Sequence, residues 1–287
     1  MHNDRRQFLK LALTGAVWLG AGNTLKAFDI ANGLPKRKKV QLRIAIASDG
    51  HYGQPNTRFA ELHREMVGWI NRDHGNRRID FTFINGDLFH NDPTFLEPAK
   101  ELWDQLHTPY YVSHGNHDMT DESTWAQTWN SPWNYGFEKN EIGFVVLNTA
   151  DTKGNYTCPD LEKARELLKQ YEQHKHLFVF MHITPRKWTN AGINCPEIVE
   201  MFDRQQNLRA VFHGHDHDQD NVKKNNNTFY FFDSHIAGDW GTAYHGYRIV
   251  EVMKNGDILT YQMNPKNNEK VNSQNLASPR LIMQKSI

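Results

Sequence analysis

The sequence predicts an α/β fold with a parallel-rich sheet and a polar site at one edge of that sheet. Apolar strand-like runs alternate with amphipathic helical runs, which is typical of parallel βαβ units. Polar groups follow the strands directly, at the point where each strand ends. The 287 residues show no internal repeat, and the body of the chain is predicted to be one domain.

The predicted elements follow in chain order from residue 40. The run 40–47 alternates and then becomes continuously apolar, which predicts a strand. Apolar residues recur at helical spacing from about 58 to 73, which predicts an amphipathic helix. The remaining strands are predicted at 79–84, 110–113, 144–147, 177–181, 209–212, 228–232, 247–253 and 257–262, and the remaining helices at 95–106, 159–174 and 196–202.

Segment boundaries follow from changes in composition. The last three predicted strands have an antiparallel pattern, and a tail rich in Asn, Lys and Ser follows them and is expected to be loosely ordered. The predicted organisation is an export signal at 1–27, a linker at 28–39, the main domain at 40–263 and the polar tail at 264–287.

The composition excludes several classes of protein. Lys and Arg together number 33, as do Asp and Glu, so no stable nucleic-acid partner is expected. Sixteen His against two Cys favour metal sites with oxygen and nitrogen ligands over thiolate zinc modules. No apolar run reaches the roughly 18 residues of a bilayer crossing, so no transmembrane domain is expected beyond a possible uncleaved signal anchor. The sequence leaves open whether Cys158 and Cys195 form a disulfide.

The N-terminal 27 residues have the layout of an export signal. Arg5 and Arg6 precede the short apolar stretch 11–22 and are followed closely by Phe-Leu-Lys. This layout resembles a bacterial twin-arginine signal, although Asp4 stands where that signal more often has Ser or Thr. The resemblance implies the twin-arginine export machinery as a partner, transport in the folded state and a periplasmic location. A cytoplasmic amphipathic N-terminus is the alternative.

Polar side chains follow six of the predicted strands. In a parallel-rich sheet, the loops at the carboxyl ends of strands converge on one rim, where ligands bind. The spacing between successive clusters leaves room for one helical crossover, so we expect clusters far apart in sequence to meet in space. The clusters are Asp49 with His51, Asp87, the run 116–118, Asn148, His182 and the run 213–217.

Such a meeting of polar groups predicts metal ions. Buried carboxylates and imidazoles without a nearby Lys or Arg would repel one another or remain unsatisfied, and divalent cations solve both problems. Carboxylate, imidazole and amide-oxygen ligands suit Mn, Fe, Zn or Co. The candidate ligands exceed the needs of one tetrahedral site, and a carboxylate can bridge two ions, so two divalent metal ions are predicted.

The clusters form five motifs in a fixed order. They are Asp49-Gly50-His51, Gly86-Asp87, Gly115-Asn116-His117-Asp118, His182 and Gly214-His215-Asp216-His217. In this order they resemble the calcineurin-like metallophosphoesterase family, and the resemblance extends over about 43–253. It implies a four-layer α/β/β/α sandwich with two mixed β-sheets and a metal site at the carboxyl ends of the strands.

The resemblance also implies a role for each motif residue. One metal ion would be bound by Asp49, His51 and His217, the other by Asn116, His182 and His215, and Asp87 would bridge them. A hydroxide bridging the metals would attack phosphorus, while the metals lower its pKa and neutralise charge on the phosphoryl oxygens. His117 would stabilise the transition state or protonate the leaving alkoxide, and Asp118 would orient its ring.

The activity implied by the resemblance is hydrolysis of a phosphate mono- or diester, with a small phosphate ester as substrate. A catalytically silent binding scaffold on the same fold is the alternative. His90 replaces an acidic residue common in the second motif and could contact substrate or replace an outer contact. Phe89 argues against the purple acid phosphatase variant, which needs a metal-ligating Tyr in that region.

Two sets of side chains near the motifs are expected to pack rather than to bind metal. His114 and His213 are expected to face into the packing beside the third and fifth motifs. Aromatic residues after the third motif and in the glycine-rich loop 238–246 pack in the core or form a substrate-facing wall. They are Trp125, Trp129, Trp133, Tyr135, Phe137, Trp240 and Tyr244.

Overall fold

Two six-stranded sheets form the centre of the computed structural model, which describes residues 40–278. The strands are β1 (Val40–Ala47), β2 (Phe81–Asn85), β3 (Tyr110–Ser113), β4 (Tyr135–Lys139), β5 (Ile142–Val146), β6 (His176–Phe180), β7 (Leu208–His213), β8 (Val222–Asn225), β9 (Thr228–Phe232), β10 (Tyr247–Met253), β11 (Ile258–Asn264) and β12 (Glu269–Leu276). The order is β12-β11-β10-β1-β2-β3 in the first sheet and β4-β5-β6-β7-β9-β8 in the second.

Both sheets are mixed. Strands β1, β2 and β3 run parallel to one another, as do β5, β6, β7 and β9. The pairs β10–β11, β11–β12, β4–β5 and β8–β9 are antiparallel and complete the two sheets. The parallel strands therefore end at a common edge, where the connecting loops collect.

Five α-helices cover the outer faces of the sheets. They are α1 (Phe59–Asn76), α2 (Leu96–Trp103), α3 (Glu122–Trp129), α4 (Leu161–Gln170) and α5 (Pro196–Arg204), with a 3₁₀ turn at Pro93–Phe95 before α2. The side chain of Asp160 accepts hydrogen bonds from the backbone N–H groups of Glu162 and Lys163, which fixes the start of α4. Pro196 occupies the first turn of α5, where its missing N–H is not needed.

Alternation along β1 separates two apolar cores. Leu42, Ile44 and Ile46 pack between the sheets with residues of the second sheet, whereas Ala45 and Ala47 pack against α1 and α2. A third cluster lies between the second sheet and helices α4 and α5. This gives the layer order helix, sheet, sheet, helix, so the predicted four-layer sandwich with two mixed sheets is confirmed.

Aromatic rings fill the space between the sheets. Phe83 of β2 stacks on Phe180 of β6 with ring centroids 3.7 Å apart, and both side chains are fully buried. Each buried ring of this size contributes about 1.5–3 kcal/mol by leaving water. The contact fixes how the two sheets, and therefore their carboxyl-terminal edges, face each other.

The C-terminal strand corrects one expectation. Residues 269–276 form β12, an antiparallel edge strand on β11, where a loosely ordered tail was predicted from residue 264 onwards. Only Leu276 of this strand is buried, so its sequence lacks the apolar alternation that marks a strand. A polar sequence is usual for an edge strand because it discourages further pairing. The short edge strands β4 and β8 and helix α3 were likewise not predicted.

Helix ends also differ from the predicted boundaries. Helix α2 ends at Trp103 rather than 106, because the N–H groups of Gln105 and Leu106 bond to carbonyls only three residues earlier. The predicted signal at 1–27, the linker at 28–39 and residues 279–287 lie outside the described residues. Within 40–278, no helix has both the length and the apolar character of a membrane span.

Cys158 and Cys195 form a disulfide, which settles the pairing that the sequence left open. Their Cα atoms are 5.7 Å apart, and 37 residues separate them in sequence. The bond joins the loop that follows β5 to Cys195, which occupies the N-cap position directly before α5. This loop is therefore tied to a helix on the outer face of the second sheet.

Candidate metal centre

The predicted ligands lie where the parallel strands end, and several have an unusual backbone. Asp49, His51, Asp87 and His215 have φ values of 59°, 44°, 52° and 67°, in the left-handed region. For residues other than glycine this conformation costs roughly 1–2 kcal/mol each. Such strain is maintained where the surrounding contacts fix the residue, and it turns each chain sharply at the end of its strand.

The first group of candidate ligands contains Asp49, His51 and His217, all buried. Their ligand atoms lie within 4.8 Å of one another. His217 Nε2 lies 3.2 Å from Asp49 Oδ1 and 2.9 Å from His51 Nε2. One carboxylate and two imidazoles therefore point at a common centre.

The second group contains Asp87, His182 and His215, whose ligand atoms also lie within 4.8 Å of one another. His182 Nε2 lies 3.1 Å from Asp87 Oδ2. Asn116 Oδ1 and His215 Nε2 are buried and have no hydrogen-bond partner. Buried polar atoms are normally satisfied, so these two lone pairs match a cation that would use them.

The two groups adjoin each other. Asp87 Oδ2 lies 3.6 Å from His51 Nε2 of the first group, and Asp49 Oδ1 lies 3.7 Å from His182 Nε2 of the second. The residues present thus fit two adjacent divalent ions, and the carboxylates of Asp49 and Asp87 each lie near both groups. The assignment of each residue to one ion stays a prediction.

Backbone carbonyls orient two of the imidazoles. His182 Nδ1 donates to the carbonyl of Asn85 at 2.7 Å, and His217 Nδ1 donates to that of Trp240 at 3.2 Å. In the neutral ring, each bond places the proton on Nδ1 and leaves Nε2 with a lone pair directed at the centre. These contacts fix the orientation of both rings in the way that a metal ligand requires.

The carboxylates are also fixed by backbone donors. The N–H of His215 donates to both carboxylate oxygens of Asp49, at 3.0 and 3.1 Å, and so connects the end of β7 to the end of β1. The N–H of His117 donates to Asp87 Oδ1 at 2.8 Å. The loops of the two sheets are therefore joined through the candidate ligands themselves.

Two of the motif residues must be glycine because their backbone passes very close to other atoms. A Cβ at Gly115 would overlap the backbone nitrogen and Oδ1 of Asp87, and a Cβ at Gly214 would overlap the side chains of Ser48 and Asp49. The third and fifth motifs thus begin with glycine because the chain passes directly over a ligand carboxylate.

The charges of the centre favour cation binding. Burial raises the pKa of the Asp49 carboxyl, but attraction to His217 and His182 outweighs burial and brings the pKa below its usual range. For His182, burial lowers the pKa, whereas Asp87 and Asp49 raise it to about 10. Burial lowers the pKa of His215 to about 4. Because metal ligands must be deprotonated, metal binding at this site releases the proton that His182 holds.

The structure corrects the partner predicted for His117. The carboxylate of Asp118 accepts hydrogen bonds from the N–H groups of Phe89 and Gly115, at 3.0 and 2.8 Å, and so holds the loops of the second and third motifs together. His117 Nδ1 instead donates to Oδ1 of Asn91 at 2.7 Å. Asn91 is thus the orienting residue, and the reasoning from sequence missed it.

His90, whose role the sequence left open, lies against two residues of the centre. Its Nδ1 is 3.2 Å from Nδ1 of His51, and its ring stacks on that of His117 with centroids 4.6 Å apart. His90 therefore makes an outer contact to one candidate ligand and supports one face of the His117 ring. Both contacts place it beside the centre.

His213 and His114 pack as predicted. His213 Nδ1 donates to the carbonyl of Met181 at 3.0 Å, and His114 contacts the Asn148 side chain at 3.0 Å. Trp125 is fully buried, and Trp133 stacks on the ring of His114. The aromatic insert after the third motif thus packs against the core.

The fold and the paired donor groups define a metal-dependent hydrolase with a dinuclear centre. The family model of the calcineurin-like phosphoesterases matches residues 42–219, a range that contains every candidate ligand. The chain belongs to the calcineurin-like phosphoesterase family. It is therefore a metal-dependent phosphoric ester hydrolase, and the centre takes two divalent metal ions.

Solved structures share this fold at low sequence identity. A dimetal phosphatase from Danio rerio is 11% identical, with a TM-score of 0.63, and the match covers 83% of this chain and 99% of that one. A purple acid phosphatase from seeds of yellow lupin (Lupinus luteus) is 13% identical, with a TM-score of 0.63, and the match covers 82% and 53%. The chain thus spans about half of the lupin enzyme. A search of the curated proteins found no match.

Removal of a central ligand should remove metal and activity together. We expect Asp87→Asn and His215→Ala to abolish hydrolysis of an aryl phosphate ester and to lower the metal content per chain, because each removes a donor from the centre. Elemental analysis and an aryl phosphate assay measure both. His213→Gln, at the end of β7 and two residues before His215, is the control, and its folded fraction should keep its metal. Wild-type metal content in Asp87→Asn and His215→Ala would contradict the ligand assignment.

Gly115→Ala should damage the centre without removing a ligand. The added Cβ overlaps Asp87, so the carboxylate must move and we expect loss of metal and of activity. Gly68→Ala in α1 is the matched control, because a Cβ there meets no atom within 4 Å. That change should leave activity intact and stabilise the helix by up to about 1 kcal/mol, measured by urea unfolding. Normal metal content in Gly115→Ala would show that the close approach is not needed.

Proposed function

We propose that this protein is an exported phosphoesterase that hydrolyses a small phosphate mono- or diester. The observation that carries the proposal is the half-exposed His117 beside the two buried donor groups, with its ring centroid 4.8 Å from that of His51. When bound, the two metal ions supply positive charge for the phosphoryl oxygens and lower the pKa of the attacking water.

Residues of this chain position the group that would donate the proton. The bond from Nδ1 to Asn91 engages one ring nitrogen of His117 and leaves Nε2 as the atom that would give a proton to the departing alkoxide. The stacked ring of His90 restricts rotation of His117. Both contacts position the acid before substrate binds, so little reorganisation is needed during the reaction.

The alternative is a silent binding scaffold on the same fold. Such a protein would have no need for the donor pairs or for the oriented His117. The donor atoms of Asp49, His51 and His217 and those of Asp87, His182 and His215 cluster in two groups, and His117 has an orienting partner. These observations support turnover over silent binding.

The proposed location is the periplasm, reached through the twin-arginine export machinery. Arg5 and Arg6, with the apolar stretch after them, support this proposal. The disulfide between Cys158 and Cys195 supports it independently, because disulfides persist in oxidising compartments and are rare in the cytosol.

His117→Ala separates chemistry from metal binding. We expect turnover of an aryl phosphate ester to fall by about 10²- to 10⁴-fold, the usual effect of losing a general acid, with metal content near that of the wild type. Asn91→Leu should lower turnover less, because the ring remains and only its orientation is lost. His107→Ala, an exposed histidine, is the control. Unchanged turnover in His117→Ala would contradict the acid role of His117, and no turnover by the metal-loaded wild type would favour the silent scaffold.

The export proposal is tested by exchanging the paired arginines for lysines. Arg5→Lys combined with Arg6→Lys keeps the charge but removes the arginine pair, so we expect the protein to accumulate in the cytoplasm of a bacterium with the twin-arginine pathway. Cell fractionation with antibody detection measures the distribution. Lys38→Arg combined with Lys39→Arg in the linker is the matched control. Continued arrival of the lysine variant in the periplasm would argue against this route.

A further inference from the structure

Two exposed aromatic side chains stand beside the metal centre. Among residues 40–278, the large hydrophobic side chains that remain exposed are Tyr156, Leu161 and Trp240. Tyr156 contacts His215 edge-on at a centroid distance of 4.9 Å, and Trp240 stacks on His217 at 4.5 Å. These two histidines belong to different donor groups, so one aromatic residue stands beside each half of the centre.

The Trp240 ring has one face available. It lies parallel to the His217 ring, with 6° between the planes, and 50% of the residue is exposed. This is the exposure expected when a neighbour covers one of two ring faces. The backbone is fixed, since the Trp240 carbonyl accepts from His217 Nδ1 and the N–H of Thr242 donates to the His217 carbonyl at 2.8 Å. The available face is therefore held next to a candidate ligand.

The backbone around Tyr156 is also fixed by hydrogen bonds. Its backbone forms an isolated antiparallel bridge with Ala150, and the N–H of Thr157 donates to the Thr149 carbonyl at 2.9 Å. Two residues further on, Cys158 is joined to α5 by the disulfide. The Tyr156 ring, 46% exposed, is therefore held in place beside His215.

A carboxylate stands beside Trp240. Asp239 directly precedes Trp240, and its Oδ1 accepts a hydrogen bond from Gln54 Nε2 at 3.0 Å. In the described part of the chain, Asp239 forms no ion pair with Lys or Arg. Asp239 would repel a negatively charged substituent on the leaving alcohol, whereas it would not repel an uncharged ring.

We infer that Trp240 and Tyr156 form a subsite for a planar, uncharged ring carried by the alcohol part of the phosphate ester. The inference rests on the proposed function, because it places the phosphoryl group on the metal centre. A ring stacked on the available face of Trp240 would extend the parallel stack of the His217 imidazole and the indole, with the indole between the ring and His217. Aromatic stacking contributes both binding energy and orientation, and an aliphatic ring cannot reproduce it.

The test compares benzyl phosphate with cyclohexylmethyl phosphate. The two leaving alcohols are similar in size and differ in planarity, so the part of the preference that Trp240→Leu removes reports stacking. We expect the metal-loaded wild type to prefer the benzyl ester by about 3- to 10-fold in kcat/KM, mainly through KM. Trp240→Leu should bring the ratio to about 1 with metal content unchanged, and Trp240→Phe should keep most of it. Tyr156→Leu should reduce it partly.

Leu161→Ala is the matched control, because Leu161 is the third exposed hydrophobic residue and lies at the start of α4. Binding of the corresponding benzyl and cyclohexylmethyl phosphonates, measured by calorimetry, gives a readout without turnover. If neither ester is hydrolysed but Trp240→Leu abolishes a phosphonate preference, the subsite stands and the proposed function fails. Equal use of both esters by the wild type, or a ratio unchanged by Trp240→Leu, overturns the subsite. So does a stronger, Trp240-dependent preference for choline phosphate, which would indicate a cation site instead.

Discussion

The bond between the buried Asp49 carboxylate and the N–H of His215 is the contact on which the centre depends. It joins the end of a strand in the first sheet to the end of a strand in the second. A carboxylate with 0% exposure is strongly unfavourable unless donors or cations compensate it. Around Asp49 this compensation comes from one N–H, from neighbouring imidazoles and from the divalent ions of the family. The Asp49 carboxylate therefore has two effects: its charge needs compensation, and its bond to the N–H of His215 holds the two halves of the centre together.

The arrangement of layers makes this contact possible. Parallel strands in both sheets end at one edge, and the stack of Phe83 on Phe180 fixes the distance between the sheets. Motif glycines then let the loops pass directly over the carboxylates of Asp49 and Asp87. Packing, backbone conformation and charge thus all favour the same arrangement at this edge of the sheets. Together they bring ligands from distant parts of the chain close to one another.

The sequence predicted the features that depend on periodicity and strand order, and missed those that depend on contacts of single side chains. Strands such as 110–113 and 228–232 were predicted with correct bounds, because their apolar runs are buried. The edge strand β12 was missed because its residues are mostly exposed. Asn91 was missed in favour of Asp118, since adjacency in sequence does not reveal which side chain reaches the His117 ring. The disulfide was left open for the same geometric reason.

The left-handed residues at the strand ends have a consequence for evolution. Asp49, His51, Asp87 and His215 hold a conformation that glycine adopts without steric penalty. A descendant that replaced His51 or His215 by glycine would relieve local strain and keep the backbone hydrogen bonds at that position, so its metal-free fold would gain stability as its chemistry disappears. Activity and thermal stability therefore favour different residues at these positions. Only selection for the reaction prevents the change to an inactive but more stable relative.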